Sequence, residues 1–175
     1  DLFLEEVERF VKRPHEKPFF LYLPFTLPHL ALQVKTEDLA RYEGRFEDRP
    51  YRGEFGYLPH PTPRAAYAAM ITRLDRDVGR VLDLLRAQGL EEHTLVVFMS
   101  DHGPTSDWGG VDTRFFDSTG GLRGRKGSLY EGGIRVPLIA RWPGHVPQGE
   151  TSAWLGTHYD LMPTLLEFAD VPIPE

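Results

Sequence analysis

Asp101 and His102 stand side by side in Ser100-Asp101-His102-Gly103, directly after the apolar run Thr94–Met99. A carboxylate beside an imidazole at the mouth of a strand has the chemistry of a cation site. Carboxylate oxygen suits hard ions such as Ca²⁺ or Mg²⁺, whereas imidazole suits transition metals better. The same residues also fit a plain turn, because Asp-x-Gly after a strand commonly satisfies backbone donors. Spacing alone does not separate the two readings.

Two further groups carry chemistry. His29 follows a second apolar run, Phe19–Leu23, in a Pro28-His29 step. An imidazole that titrates near neutrality can protonate a leaving group or hold an anion, although a single histidine reads more simply as structural. Residues 120–127, Gly-Gly-Leu-Arg-Gly-Arg-Lys-Gly, place the cations Arg123, Arg125 and Lys126 on a glycine-rich backbone. Cations on backbone that can approach a ligand closely suit sulfate or phosphate; the alternative is a solvated, mobile loop. The closely spaced glycines of Tyr130-Glu131-Gly132-Gly133 favour a constrained path. No Gly-x-x-x-x-Gly-Lys-Ser/Thr run occurs, so a nucleotide-binding P-loop is not supported. His15, His60, His93, His145 and His158 share no spacing that suggests a common site and read as surface or structural.

The elements that must position these groups follow from hydrophobic periodicity. Residues 1–13 are amphipathic, with Leu2, Phe3, Val7, Phe10 and Val11 on one stripe and Pro14 as the stop. Phe19–Leu23 and Thr94–Met99 are continuous apolar runs, the pattern of strands covered on both faces. Between them, residues 63–88 repeat apolar residues at helical steps. Thr62 is placed to cap that helix, Arg73 and Asp77 to pair one turn apart, and Gly89 to close it. Residues 35–62 read as a long surface insertion with a helical turn near Glu37–Tyr42, a place to look for specificity. Ile134–Trp142 reads as a third strand, irregular at Pro137. A last helix runs from about Asp160 to Ala169, with Pro163 in its first turn. Strand, long helix and strand imply an α/β fold with a mainly parallel sheet and helices on its faces. Ligands of such sheets gather beyond the strand carboxyl ends, where His29 and Asp101-His102 lie.

Composition excludes several classes. Of the 175 residues, 41% are hydrophobic and 12% aromatic, enough for a core, so disorder is not expected. The net charge of −6 with no long basic run gives no nucleic-acid footprint, and no apolar stretch is long enough to span a membrane. The absence of cysteine removes disulfides, thiolate metal sites and a cysteine nucleophile from this stretch.

Four segments, in order, carry a family resemblance: PFFLYLPFTLPH at residues 18–29, AAMITRLDRDVGRVLDLLRAQGLEEHTLVVFMSDHG at 68–103, LRGRKGSLYEGGIRVPLIARWPG at 122–144 and DLMPTLLEFADVPIP at 160–174. Together they resemble the sulfatase family of the alkaline-phosphatase superfamily over nearly the whole chain. The resemblance implies a sulfuric-ester hydrolase with residues 1–175 as the C-terminal portion of a catalytic domain, incomplete at its N-terminus. Asp101 and His102 would be ligands of a divalent cation, usually Ca²⁺; many members carry Asn where His102 stands. Lys126 would contact a sulfate oxygen, and His29 the ester oxygen. Arg123 and Arg125 receive no role. The family's formylglycine nucleophile arises from a Cys/Ser-x-Pro/Ala-x-Arg motif that does not occur here. That nucleophile and an early acidic pair of metal ligands are expected upstream of Asp1, which would leave the isolated chain inactive. The implied substrate is a sulfated carbohydrate or aryl sulfate. A phosphodiester or phosphonate-ester hydrolase and a non-catalytic binding fragment are the alternatives. A periplasmic or extracellular location would accord with the family, and the oligomeric state is left open.

Overall fold

The computed structural model describes residues 2–174. Asp1, the first residue of the expected N-terminal helix, lies outside the described residues. Helix α1 (Leu2–Lys12) buries Val7 and Val11 of the expected stripe together with Leu4, whereas Leu2 and Phe3, also expected on that stripe, are exposed. Helix α2 (Thr36–Leu39) is the expected turn in the insertion, and α3 (Pro63–Ala87) is the long central helix. A 3₁₀ turn at Glu91–His93 leads into β1 (Val96–Met99). The short helix α4 (Glu131–Ile134) precedes β2 (Leu138–Arg141), and α5 (His158–Phe168) follows.

The core lies on two patches of α3. At its C-terminal end, Leu85 packs with Val7 and Val11 of α1, joined by Phe19, Leu21, Leu23 and Val96. Toward its N-terminus, Ala66 and Met70 pack with Leu32 and Val111, flanked by Leu27, Leu30 and Tyr67. The small alanines let the loops that carry His29 and residues 104–133 approach the helix closely. Gly89 closes α3 at φ +68°. Its N–H donates to the Arg86 carbonyl at 3.1 Å and the Leu90 N–H to Leu85 at 2.9 Å, a Schellman closure.

The α/β class stands, with strand details that differ from expectation. Phe19–Leu23 is extended but enters no ladder. Phe19, Leu21 and Leu23 face the α1–α3 core while Phe20 and Tyr22 are 75% and 74% exposed, so burial alternates instead of covering both faces. Pro18 and Pro24, which lack N–H donors, bound the run. The one sheet among the described residues pairs β1 with β2 antiparallel, Val96 opposite Arg141. Its second strand starts at Leu138, not Ile134, because residues 131–134 turn helically before Pro137.

Two caps also differ. Thr62 makes no side-chain cap. Asp48 takes that place from the insertion, accepting from the N–H groups of Arg64 at 2.6 Å and Ala65 at 3.2 Å. Helix α5 begins earlier than expected, where the Thr157 N–H donates to the Asp160 carboxylate at 2.6 Å, so Pro163 falls in the second turn.

The insertion is moored instead of loose. Asp38, 4% exposed, takes a two-pronged bond from Arg76 at 2.6 and 3.0 Å, and the expected Arg73–Asp77 pair forms beside it at 2.8 Å. Tyr51 and His60 form an antiparallel bridge. Phe46 meets Phe115 and Phe116 edge-on, each at 5.8 Å, and ties the insertion to the loop after β1.

Candidate active site

Asp101 and His102 lie in the turn at the carboxyl end of β1. Asp101 projects into solvent with its side chain 82% exposed, and its Oδ2 is 3.2 Å from His102 Nε2. The His102 ring is oriented from its other side: Nδ1–H donates to the Gly103 carbonyl at 2.8 Å. The Ser100 hydroxyl donates to the His102 carbonyl at 2.8 Å. Nε2 and the carboxylate therefore face one another, an oxygen and a nitrogen donor in adjacent positions. A histidine whose Nδ1–H is held by a backbone carbonyl while Nε2 points outward is set up as a metal ligand is. Two donors do not complete a cation shell, and no group of three or more acidic or histidine side chains that could hold a metal ion occurs among the described residues.

The glycine-rich loop is fastened to this turn through the backbone. The Lys126 N–H donates to the Pro104 carbonyl and the Gly103 N–H to the Gly133 carbonyl, both at 2.9 Å. Within the loop, the Gly132 N–H donates to Arg123 at 2.7 Å. The approach requires glycine. A Cβ on Gly132 would sit 2.8 Å from the Arg123 carbonyl oxygen, and one on Gly133 would sit 2.6 Å from that of Arg125. A Cβ on Gly103 would collide with the carbonyl of Gly132.

The same packing sorts the three cations. Arg125 reaches the Asp107 carboxylate at 3.3 Å, with its side chain only 23% exposed. Asp107 is held in turn by the Thr113 N–H and hydroxyl, at 3.0 and 2.7 Å, and Thr113 is buried. The Arg123 guanidinium lies 3.8 Å over the Tyr130 ring. The exposed Lys126 ammonium is left without a side-chain partner among the described residues. Two cations are structural, and the third is available to an anion.

His29 stands on a separate loop, also exposed. Its Nδ1–H donates to the Leu30 carbonyl at 2.7 Å, leaving Nε2 outward. Leu30 joins this loop to the one after β1. A Cβ on Gly109 would lie 2.8 Å from Leu30 Cδ1 and 3.0 Å from Tyr57 Cδ2, so these three residues are in close contact. The four predicted site residues thus divide into the adjacent pair Asp101–His102, Lys126 tied to their turn by the main chain, and His29 reaching the assembly through Leu30.

Other residues bear on the site without an obvious sequence cue. His158, at the start of α5, hydrogen-bonds the Ser100 carbonyl at 3.1 Å, across 58 positions. The Thr157–Asp160 capping pattern before an apolar run locates that helix start, but not what it touches. Asp107 anchors Arg125, and Asp112 accepts from Arg64 at 2.7 Å, which with the Asp48 cap fixes the loop against α3. The Arg64 bonds hold the Asp112 carboxyl below its usual range. His60 serves structure: its Nδ1 accepts the Thr62 N–H at 3.1 Å, and burial lowers its pKa.

Comparison with known proteins gives a consistent result. The sulfatase family model matches residues 1–171. A sulfatase of Formosa agariphila is 33% identical over 172 residues, covering 91% of this chain and 27% of the relative. Human arylsulfatase A is 34% identical over 163 residues, covering 91% and 26%. The crystal structure of Ps i-CgsB in complex with k-i-k-neocarrahexaose superposes with a TM-score of 0.76 at 32% identity, covering 99% of this chain and 33% of that one. The chain spans about a quarter of the length of these curated relatives. Its architecture is that of the alkaline-phosphatase-like sulfatases. The family match over almost the entire chain establishes that this chain belongs to the sulfatase family.

Proposed function

We propose that the full-length protein hydrolyses sulfuric esters and that this chain supplies the anion-binding lysine, one histidine and part of the cation site. The observation that carries the reading is the sorting of the loop cations. Arg125 and Arg123 are engaged, whereas the Lys126 side chain has no partner among the described residues and its backbone N–H is tied to the carbonyl of Pro104, just after the Asp101-His102 turn.

The proposed roles rest on the family resemblance, and the geometry supports them. Lys126 binds a sulfate oxygen and offsets the charge on the transferring group. His29, with Nδ1–H committed to the Leu30 carbonyl, presents Nε2 to the ester oxygen; when Nε2 also carries a proton, it passes that proton to the leaving-group oxygen as the S–O bond breaks. Asp101 and His102 present an oxygen and a nitrogen to a divalent cation, Ca²⁺ being the family's usual choice. When bound, that cation supplies Lewis-acid stabilisation of anionic oxygen. The remaining cation ligands and a formylglycine nucleophile belong to parts of the full-length protein outside residues 1–175. The isolated chain therefore releases no sulfate. A periplasmic or extracellular site of action accords with the family. Among the described residues no helix is long and apolar enough to cross a membrane.

The test is sulfate release by the full-length protein from 4-nitrophenyl sulfate and from sulfated saccharides, beside phosphodiester and phosphonate-ester analogues. Sulfate esters turned over at least tenfold faster support the reading. The reverse preference replaces it with a phosphodiester or phosphonate-ester hydrolase, and no turnover of either replaces it with a binding module.

A further inference from the structure

Outside the residues given catalytic roles, one exposed feature is both rigidly built and adjacent to them. Phe55, in the insertion, and Trp108, in the loop after β1, stack with ring centroids 5.9 Å apart and planes within 12°. They remain 61% and 56% exposed. Their backbones, by contrast, are fixed. The Phe55 N–H donates to the hydroxyl of the buried Tyr51 at 2.9 Å, and the Trp108 carbonyl accepts from the N–H of core residue Val111 at 3.0 Å. Two large rings held in water by an ordered scaffold form a ready-made contact surface.

The pair is continuous with the candidate site on two sides. Gly109, next to Trp108, lies against Leu30, next to His29, and against Tyr57 of the Phe55 turn. Asp107, on the other side of Trp108, holds Arg125, next to Lys126. The aromatic pair is therefore joined through packed neighbours to the loops that carry His29 and Lys126. An exposed flat ring beside an anion-binding lysine suits a molecule that is apolar on one face, polar at its edge and charged nearby. A pyranose has that form: its axial C–H groups bury against a ring while its hydroxyls stay in water. An aryl sulfate, whose one ring carries the scissile ester, has no second ring to place there.

We propose that Phe55 and Trp108 form a saccharide-stacking platform for the pyranose next to the sulfated one, so that the substrate is a sulfated oligosaccharide. This rests on the sulfate-ester reading above. The experiment compares kcat/KM of the full-length enzyme on sulfated hexasaccharides from carrageenan and glycosaminoglycans, on the matching sulfated monosaccharides and on 4-nitrophenyl sulfate. The expected result is at least a tenfold preference for one hexasaccharide. Trp108→Ala and Phe55→Ala each remove most of it, with the rate on 4-nitrophenyl sulfate kept within twofold, and Trp108→Phe retains it. Retardation in gels containing the parent polysaccharide, lost in Trp108→Ala, reports the platform even where turnover is absent. A wild-type enzyme inert on every ester but retarded in the gel would sink the sulfate-ester reading and leave the platform standing. Wild-type enzyme with no hexasaccharide preference, or variants that alter hexasaccharide and 4-nitrophenyl sulfate rates equally, or that leave the hexasaccharide rate unchanged, overturn the platform. Melting temperatures within about 2 °C of wild type confirm that the variants fold, and if Trp108→Ala does not, Phe55→Ala decides.

Discussion

The backbone N–H of Lys126 donates to the carbonyl of Pro104 at 2.9 Å, so the lysine's main chain is joined to the turn that carries Asp101 and His102. The side chain plays no part in this bond and has no other side-chain partner among the described residues. Position and charge are thereby separable. In the full-length enzyme, Lys126→Ala should lower kcat/KM on a sulfate ester about 10²–10³-fold, the scale of losing one preorganised charge-stabilising group. The melting temperature should stay within about 2 °C. Near-normal turnover would remove Lys126 from the mechanism.

Arg125 should behave in the opposite way. Its guanidinium is spent on Asp107, so Arg125→Ala should cost stability; Asp107→Ala should cost more, because it also strands the N–H and hydroxyl of buried Thr113, and the double variant should cost less than the sum of the two. Additive losses in a denaturation cycle would show that the pair does not interact.

The glycines at the loop crossing are steric requirements. Gly132→Ala places a methyl group against the carbonyls of Arg123 and Leu122, at 2.8 and 2.9 Å, and should destabilise by about 1–3 kcal/mol. Gly79→Ala in α3 meets nothing within 4 Å and should stabilise by about 0.5–1 kcal/mol through helix propensity. Urea midpoints for the two variants that move in the same direction would contradict the packing described.

Asp48, not Thr62, caps α3. Asp48→Ala should cost about 0.5–2 kcal/mol. Thr62→Ala should lie within about 0.5 kcal/mol of wild type, because the buried Thr62 hydroxyl has no hydrogen-bond partner among the described residues to lose. Equal losses at the two positions in chemical denaturation would refute this assignment.

Acid should weaken the moorings of the insertion and of the loop after β1. The Arg76 bonds lower the pKa of Asp38, and the Arg64 bonds that of Asp112. A folded-state pKa below the unfolded value of about 3.9 gives stability that is fully present above that value. It is lost as pH falls through the folded pKa. The urea midpoint should therefore be insensitive to these groups above about pH 5 and decline below about pH 4. Asp38→Asn should be less stable at pH 7 and show a shallower acid decline; an unchanged slope would mean that Asp38 is not a source of it.

Chelation tests the proposed cation site. Treating the full-length enzyme with EDTA should abolish sulfate release, and Ca²⁺ should restore it. Asp101→Ala should resist that restoration. Undiminished turnover after exhaustive chelation would end the metal assignment.

Periodicity and punctuation alone determined α1 and α3, the Gly89 stop, the Arg73–Asp77 pair and the turn after β1. Each depends on residues within a few positions of one another, where covalent geometry sets the distance. The four ordered segments were sufficient to identify the family. Long-range contacts had to come from the fold. Nothing local indicates that Asp48 caps a helix 16 positions on, that His158 reaches Ser100, or that Phe19–Leu23 buries alternate residues outside any ladder. The loop cations are the sharpest case. Arg123, Arg125 and Lys126 are equivalent as a charge run in the sequence. Only packing brings Asp107 to one and Tyr130 to another while leaving Lys126 open, because ion pairing and ring contact depend on distances of a few ångströms that tertiary structure alone sets.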